Sequence, residues 1–141
     1  MPTHGIALFL HLLGALLWIG GTTALSVLGL GAQAENQEEH SIFRAIRRTL
    51  RWVATPGLLL VFIGGLAMVI PGWSAYRSMG WLHAKIGLAL LLAGGHGIML
   101  RRLRLMEEQK AKLPSGFFGL WAVLFAGGAL LFLALALFRP F

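Results

Sequence analysis

The chain has 141 residues, of which 57% are apolar and only 12% are charged, and its mean hydropathy is +0.78. Soluble domains carry about 25% charged residues, so this composition excludes both an ordinary soluble globule and a disordered chain. The absence of cysteine excludes disulfides, iron–sulfur clusters, thiolate zinc sites and haem attached through thioethers. The class that remains is an integral membrane protein forming a single domain over residues 1–141.

Four largely uncharged stretches are long enough to span a membrane, which takes about 20 apolar residues. The predicted spans are about 5–30, 52–71, 81–100 and 116–138, joined by loops at 31–51 and 101–115. Glycine is abundant, with 19 residues concentrated in the spans, where small residues let helices pack closely in lipid. The sequence therefore predicts an all-α integral membrane protein built as a four-transmembrane-helix bundle.

The basic residues are distributed unevenly between the two ends of this bundle. The loops at 31–51 and 101–115 contain most of them: Arg44, Arg47, Arg48, Arg51, Arg101, Arg102, Arg104, Lys110 and Lys112. The opposite end carries Arg77 and Arg139. By the positive-inside rule these two loops are cytoplasmic, and the N- and C-termini lie on the non-cytoplasmic side. The net charge of +7 then faces anionic lipid, and we expect no nucleic-acid partner.

The segments next to the spans carry helical patterns of their own. From Ser41 onward, apolar residues recur at helical spacing between arginines, which predicts an amphipathic extension running into the second helix. Residues 100–109 are expected to continue the third helix, and Pro114 to open the fourth. The first span is preceded by no Lys or Arg and exceeds the apolar core of a signal peptide, so we expect it to be retained.

Ionisable side chains inside a span are costly and therefore mark candidate sites. His11 shares a helix face with Gly14, Ala15 and Trp18, and such a strip of small residues suits a flat ligand. A hydrogen bond between helices is the alternative interpretation of His11. His83, at the entrance of the third span, lies on a different helix face from Lys85.

Lys85 and His96 are eleven residues apart, so they lie on nearly the same face about 16 Å apart along the helix. This spacing suits a tetrapyrrole standing along the helix, with His96 near its centre and Lys85 beside its propionates. Snorkelling of Lys85 to the interface is the alternative. Two histidines can hold haem b without cysteine, and both His11 with His96 and His11 with His83 are open as ligand pairs.

Hydrolytic catalysis is excluded by composition. The chain has no Asp, its five Glu fall in the predicted cytoplasmic segments, and no Cys nucleophile exists. Redox chemistry on a bound cofactor, or passage of a metal ion or proton, remains open.

Several short motifs, in order along the chain, resemble the HemJ-type protoporphyrinogen oxidase family and, more distantly, CopD-type proteins. They are His11 followed by Trp18-Ile19-Gly20-Gly21, then Arg48-Thr49-Leu50-Arg51 with Thr55-Pro56-Gly57, then Gly80-Trp81-Leu82-His83-Ala84-Lys85 with His96, and finally Arg139-Pro140-Phe141. The chain departs from the family at Leu25-Ser26, where the family has Pro-Arg, and at Lys112-Leu113-Pro114, where it has Asn-Glu-x-Pro.

This resemblance implies a haem b cofactor and oxidation of protoporphyrinogen, with electrons passing to a respiratory-chain acceptor in the bacterial cytoplasmic (inner) membrane. It implies three catalytic residues, Lys85, Arg48 and His83, and four cofactor-binding residues, His11, His96, Trp18 and Lys85. His11 and His96 are the implied metal ligands. One alternative is a CopD-like copper transport or tolerance protein that also uses Met68 and Met99. Another is a non-catalytic accessory subunit, and an oligomer or larger complex is expected.

Overall fold

The computed structural model describes residues 2–34, 40–108 and 112–138, and every regular element in these ranges is helical. Four helices within them are long and apolar enough to cross a membrane. Their outward surfaces carry large apolar side chains such as Leu16, Val123 and Leu137, which are 69%, 71% and 75% exposed. Such a surface suits lipid and not water. The predicted all-helical architecture with four candidate spans is confirmed, and the chain is a multi-pass membrane protein.

Helix α1 contains a π-helical turn in its middle. It runs through Pro2–Ala15, the π-helical turn Leu16–Gly20 and Gly21–Ala34. A π-helical turn inserts one extra residue into the helical path, and such turns are frequent at functional sites. Trp18, at the centre of this turn, is completely buried.

Helix α2 also contains a π-helical turn. It consists of His40–Thr49, the π-helical turn Leu50–Ala54, Thr55–Val69, a 3₁₀ turn at Ile70–Gly72 and Trp73–Tyr76. The amphipathic extension predicted from Ser41 is confirmed, because it is continuous with the spanning part of the helix. The π-helical turn has a local cause: Pro56 lacks an N–H and its ring crowds the preceding turn, so the helix widens just before it.

Helix α3 spans Gly80–Glu107, and helix α4 spans Phe117–Phe138. The prediction that Pro114 opens the fourth helix was wrong by three residues. The Pro114 carbonyl accepts a hydrogen bond from the Phe117 N–H at 3.2 Å, and Gly116 has a φ of +75°. This left-handed residue, which favours glycine, separates a preceding turn from the helix.

Glycines bring α1 and α2 into direct backbone contact. A Cβ added to Gly14 would lie 2.5 Å from the Gly57 carbonyl oxygen, and one added to Gly64 would lie 2.6 Å from the Ala7 carbonyl oxygen. Neither position can hold a larger side chain unless the helices separate. The first half of α1 therefore packs tightly along Thr55–Val69 of α2.

The other contacts leave α2 and α3 joined at one end only. The second half of α1 packs on α4, and α4 packs on α3. Helix α3 contacts the α2 extension His40–Thr49 but scarcely contacts Thr55–Val69. At the joined end, the Glu107 carboxylate accepts a hydrogen bond from Arg47 and lies 3.6 Å from Arg44 Nε. We call this the basic end of the bundle, because it carries the arginines of α2 and α3.

Candidate functional site

His96 lies in the interior of the bundle, with 3% of its surface exposed. Its Nε2 is 3.0 Å from the Thr55 hydroxyl oxygen, and that hydroxyl also lies 3.0 Å from the Leu50 carbonyl oxygen. The carbonyl can only accept, so the single hydroxyl hydrogen of Thr55 is donated to Leu50. The Thr55 oxygen must then accept from His96 Nε2–H. Consequently His96 carries its lone pair on Nδ1, which is buried without a hydrogen-bond partner in the described part of the chain.

His11 is partly buried where α1 crosses α2. Its Nδ1 lies 2.8 Å from the Val61 carbonyl oxygen, and because a carbonyl only accepts, Nδ1 carries the hydrogen. The lone pair is therefore on Nε2. Gly65 lies beside the ring, where an added Cβ would be 3.3 Å from Nδ1. Histidines that bind metals commonly donate their other N–H to a backbone carbonyl in this way, which fixes the tautomer and the ring orientation.

His11 and His96 contact α2 at different positions. Their partners, Val61 and Thr55, are six residues apart and therefore roughly 9 Å apart along the helix axis. Within residues 2–34, 40–108 and 112–138, no group of three or more His, Asp or Glu side chains is arranged to hold a metal ion.

Lys85 and His83 lie near the start of α3, at the end of the bundle opposite the basic end. His83 is exposed, and its Nδ1 hydrogen-bonds at 2.9 Å to the carbonyl oxygen of Met79, the residue just before the helix. Lys85 is partly buried, with its Nζ 6.0 Å from the centroid of the Trp81 ring, which is a cation–π arrangement. Both side chains therefore lie towards the surface of the bundle, at the end opposite the basic end.

Arg48 is exposed on the α2 extension at the basic end. The neighbouring Arg47 contacts Glu107, which is 22 residues beyond Lys85 on α3 and about 33 Å away along that helix. Arg48 and Lys85 therefore lie at opposite ends of the bundle, too far apart to contact the same small molecule.

Trp18 belongs to the interior. Its ring lies between Phe62 of α2 and Phe125 of α4, with both centroids 6.3 Å away. Its Nε1 is buried without a partner in the described ranges, as is the Thr22 hydroxyl one turn further along α1. The structure thus places the predicted Trp18 in the core of the bundle, beside the contact between α1 and α2.

The sequence analysis assigned no role to Thr55, although the Thr55-Pro56-Gly57 motif was noted for its resemblance. The available signal was Pro56, which predisposes the turn that contains Thr55 to widen.

Comparisons with known proteins find a distant similarity to two protoporphyrinogen IX oxidases. Protoporphyrinogen IX oxidase of Helicobacter pylori strain J99 is 22% identical over 135 residues, covering 93% of this chain and 90% of that protein. The protein of the same name from strain 26695 is 23% identical over 112 residues, covering 77% of this chain and 75% of that protein. These similarities are low in identity and extend over most of the chain.

A second kind of relative is the copper transport protein CutJ of Bacillus subtilis. It is 35% identical over 95 residues, which are 66% of this chain and only 17% of CutJ. The chain thus spans less than a fifth of that protein. No family model matches the chain, and no solved structure matches it.

Proposed function

We propose that this chain is a HemJ-like haem b-binding membrane oxidoreductase, which oxidises protoporphyrinogen to protoporphyrin or passes electrons within the membrane. The observation that carries the proposal is the similarity along 93% of the chain to a protoporphyrinogen IX oxidase. That reaction removes six electrons and six protons from the substrate, so a respiratory-chain acceptor must take the electrons.

His11 would hold the haem iron. The Val61 carbonyl holds Nδ1–H at 2.8 Å, so that Nε2 presents its lone pair, and Gly65 leaves room beside the ring. His96 donates Nε2–H to Thr55, so it would bind iron through the buried lone pair of Nδ1. When bound, haem b supplies one-electron redox chemistry that no side chain of this protein offers.

Two further residues of this proposed site, Lys85 and His83, lie towards the same end of the bundle as His11. Lys85 is placed to pair with a propionate or a substrate carboxylate, and the exposed His83 to pass protons to the interface. Arg48 is at the opposite end, so its part in the reaction would be indirect.

We also propose that the basic end is cytoplasmic and that the membrane is the bacterial cytoplasmic membrane. The support is the position of the arginines: the Arg47–Glu107 contact brings the basic segments of α2 and α3 to the same end of the bundle. Under the positive-inside rule, both termini then lie outside the cytoplasm.

A reduced-minus-oxidised absorbance spectrum of detergent-purified protein, produced with haem available, tests the haem proposal. We expect a b-type Soret and α band in the wild type, their loss in His11→Ala, and their retention in the control His4→Ala, since His4 is exposed. Restored growth of a strain lacking its own protoporphyrinogen oxidase then tests the activity. A featureless spectrum from well-folded wild-type protein would contradict the proposal.

The sequence similarity to part of CutJ favours a second candidate function, that of a copper transport or tolerance protein. Met99 is completely buried and lies three residues from His96, and thioether and imidazole groups both bind Cu(I). The test is copper-dependent growth of a strain that lacks this protein, compared with the same strain carrying the Met99→Leu variant. A difference in copper dependence distinguishes this candidate from the haem protein.

A further inference from the structure

In the described part of the chain, Gln33 Oε1 and Trp121 Nε1 are buried without hydrogen-bond partners, and so are three further polar atoms inside the bundle. They are Trp18 Nε1, Thr22 Oγ1 and His96 Nδ1, on side chains that are 0%, 0% and 3% exposed. Burying a polar group without a hydrogen bond is costly, and native proteins rarely leave such groups unpaired. These three atoms therefore require an explanation.

The three side chains belong to segments that meet at one level of the bundle. Thr22 follows Trp18 by one turn on the same face of α1. The backbone of Trp18 is close enough to α2 that a Cβ on Gly57 would lie 2.8 Å from the Trp18 nitrogen. Gly57 is two residues beyond Thr55, the residue that binds His96. The two π-helical turns also contact each other at this level.

The hydrogen-bonding chemistry of these atoms is mixed. The indole Nε1–H of Trp18 only donates, the Nδ1 lone pair of His96 only accepts, and the hydroxyl of Thr22 does both. A metal cation would be opposed by the indole hydrogen, and an anion by the imidazole lone pair. A small neutral molecule that donates and accepts satisfies all three.

We propose that the π-helical turns of α1 and α2 enclose an internal water site. The water accepts a hydrogen bond from Trp18 Nε1–H, donates one to His96 Nδ1 and bonds the Thr22 hydroxyl. Three partners are the usual number for a buried water. The Thr55 hydroxyl acts as a positioning group, because by accepting from Nε2–H it keeps the lone pair of His96 on Nδ1. This inference does not depend on haem binding or on the proposed oxidase activity.

Nuclear magnetic resonance on the ¹⁵N-labelled full chain in lipid nanodiscs tests the site directly. The Trp18 indole resonance is assigned by its loss in Trp18→Phe. We expect a nuclear Overhauser effect between water and the Trp18 indole proton, although the side chain is completely buried, and a ¹⁵N shift of His96 Nδ1 that indicates an accepted hydrogen bond. The control is Leu103, which is also completely buried and whose methyl groups should show no nuclear Overhauser effect with water.

Two results would overturn the proposal. One is a scalar coupling across a direct hydrogen bond from the Trp18 indole to His96, which would show that the side chains pair without water. The other is the absence of any water effect at the Trp18 indole together with a free lone-pair shift at His96.

A matched pair of threonine variants tests the participation of Thr22. Thr22→Val removes the unpartnered hydroxyl, whereas Thr23→Val removes a hydroxyl that donates to the Ile19 carbonyl of its own helix at 2.7 Å. We expect Thr22→Val to shift the Trp18 indole and His96 resonances, and Thr23→Val to leave them in place. Unchanged resonances in Thr22→Val would contradict the site as proposed.

Discussion

The Thr55 hydroxyl joins the π-helical turn of α2 to His96 of α3, accepting from His96 Nε2–H at 3.0 Å while donating to the Leu50 carbonyl at the same distance. The Thr55 hydroxyl thus adds a second donor to the Leu50 carbonyl, which also accepts from the Thr55 backbone N–H, and it fixes the tautomer of a buried imidazole. Both hydrogen bonds depend on one hydroxyl group, which makes Thr55 a sensitive position for substitution.

Thr55→Val keeps the shape of the side chain but leaves His96 Nε2–H without its acceptor. Leaving a buried donor unsatisfied costs about 1–3 kcal/mol, so we expect a loss of unfolding free energy in that range. Thermal or denaturant unfolding in detergent measures it. Thr49→Val is the control, because the Thr49 hydroxyl is exposed and bonds only the Ala45 carbonyl of its own helix. Equal stabilities of the two variants would contradict the assigned hydrogen bonds.

The contact between α1 and α2 predicts different outcomes for two glycine-to-alanine substitutions. At Gly14 the new methyl group would lie 2.5 Å from the Gly57 carbonyl oxygen, so the two backbones must separate. Overpacking of this kind costs about 1–3 kcal/mol. At Gly87 nothing lies within 4 Å, and alanine there should leave stability unchanged or raise it slightly. Unfolding measurements on both variants check the contact, and a fully stable Gly14→Ala would show that it is looser than described.

The proposed orientation can be tested with single cysteines because the chain has none. Ser78, in the link between α2 and α3, and Ser115, just before α4, are both exposed and lie at opposite ends of the bundle. In intact spheroplasts, a membrane-impermeant maleimide should label Ser78→Cys at once and Ser115→Cys only after lysis. The reverse order would place the basic end outside the cytoplasm.

Lys85→Ala tests the proposed contact with carboxylates of the tetrapyrrole. We expect the variant to insert and to retain haem, because His11 remains, but to oxidise protoporphyrinogen at least tenfold more slowly, since one charge-assisted contact is worth about 1.5–3 kcal/mol. The control is Lys112→Ala, which removes an exposed lysine at the basic end. Equal turnover in both variants would assign Lys85 to interfacial snorkelling instead.

The sequence predicted the helices better than the contacts between them. The number of spans and the helical extension from Ser41 followed from local composition and periodicity, which tertiary packing did not override. The prediction that residues 100–109 continue α3 is confirmed as far as Glu107, where the helix ends. Gln109 lies outside the described residues. The start of α4 was misplaced because proline is common in a first helical turn and equally common in a turn just before one.

The candidate site was less accessible to sequence reasoning. His11 and His96 were recognised as costly ionisable groups, but their partners, Val61 and Thr55, are 50 and 41 residues away along the chain. Which nitrogen each ring presents depends on the register between helices, and no periodicity encodes that register. The π-helical turns were missed for a related reason, since one inserted residue leaves hydrophobic spacing almost unchanged.

The attachment of α3 to α2 has a consequence for how a molecule dissolved in the bilayer would approach. Glu107 and His96 tie the two helices on the basic side, whereas Thr55–Val69 and the first half of α3 scarcely meet. The two helices are therefore held together on the basic side only. If the proposed function holds, the side where they diverge is where a flat, apolar molecule dissolved in the bilayer would approach, with its acidic groups near Lys85.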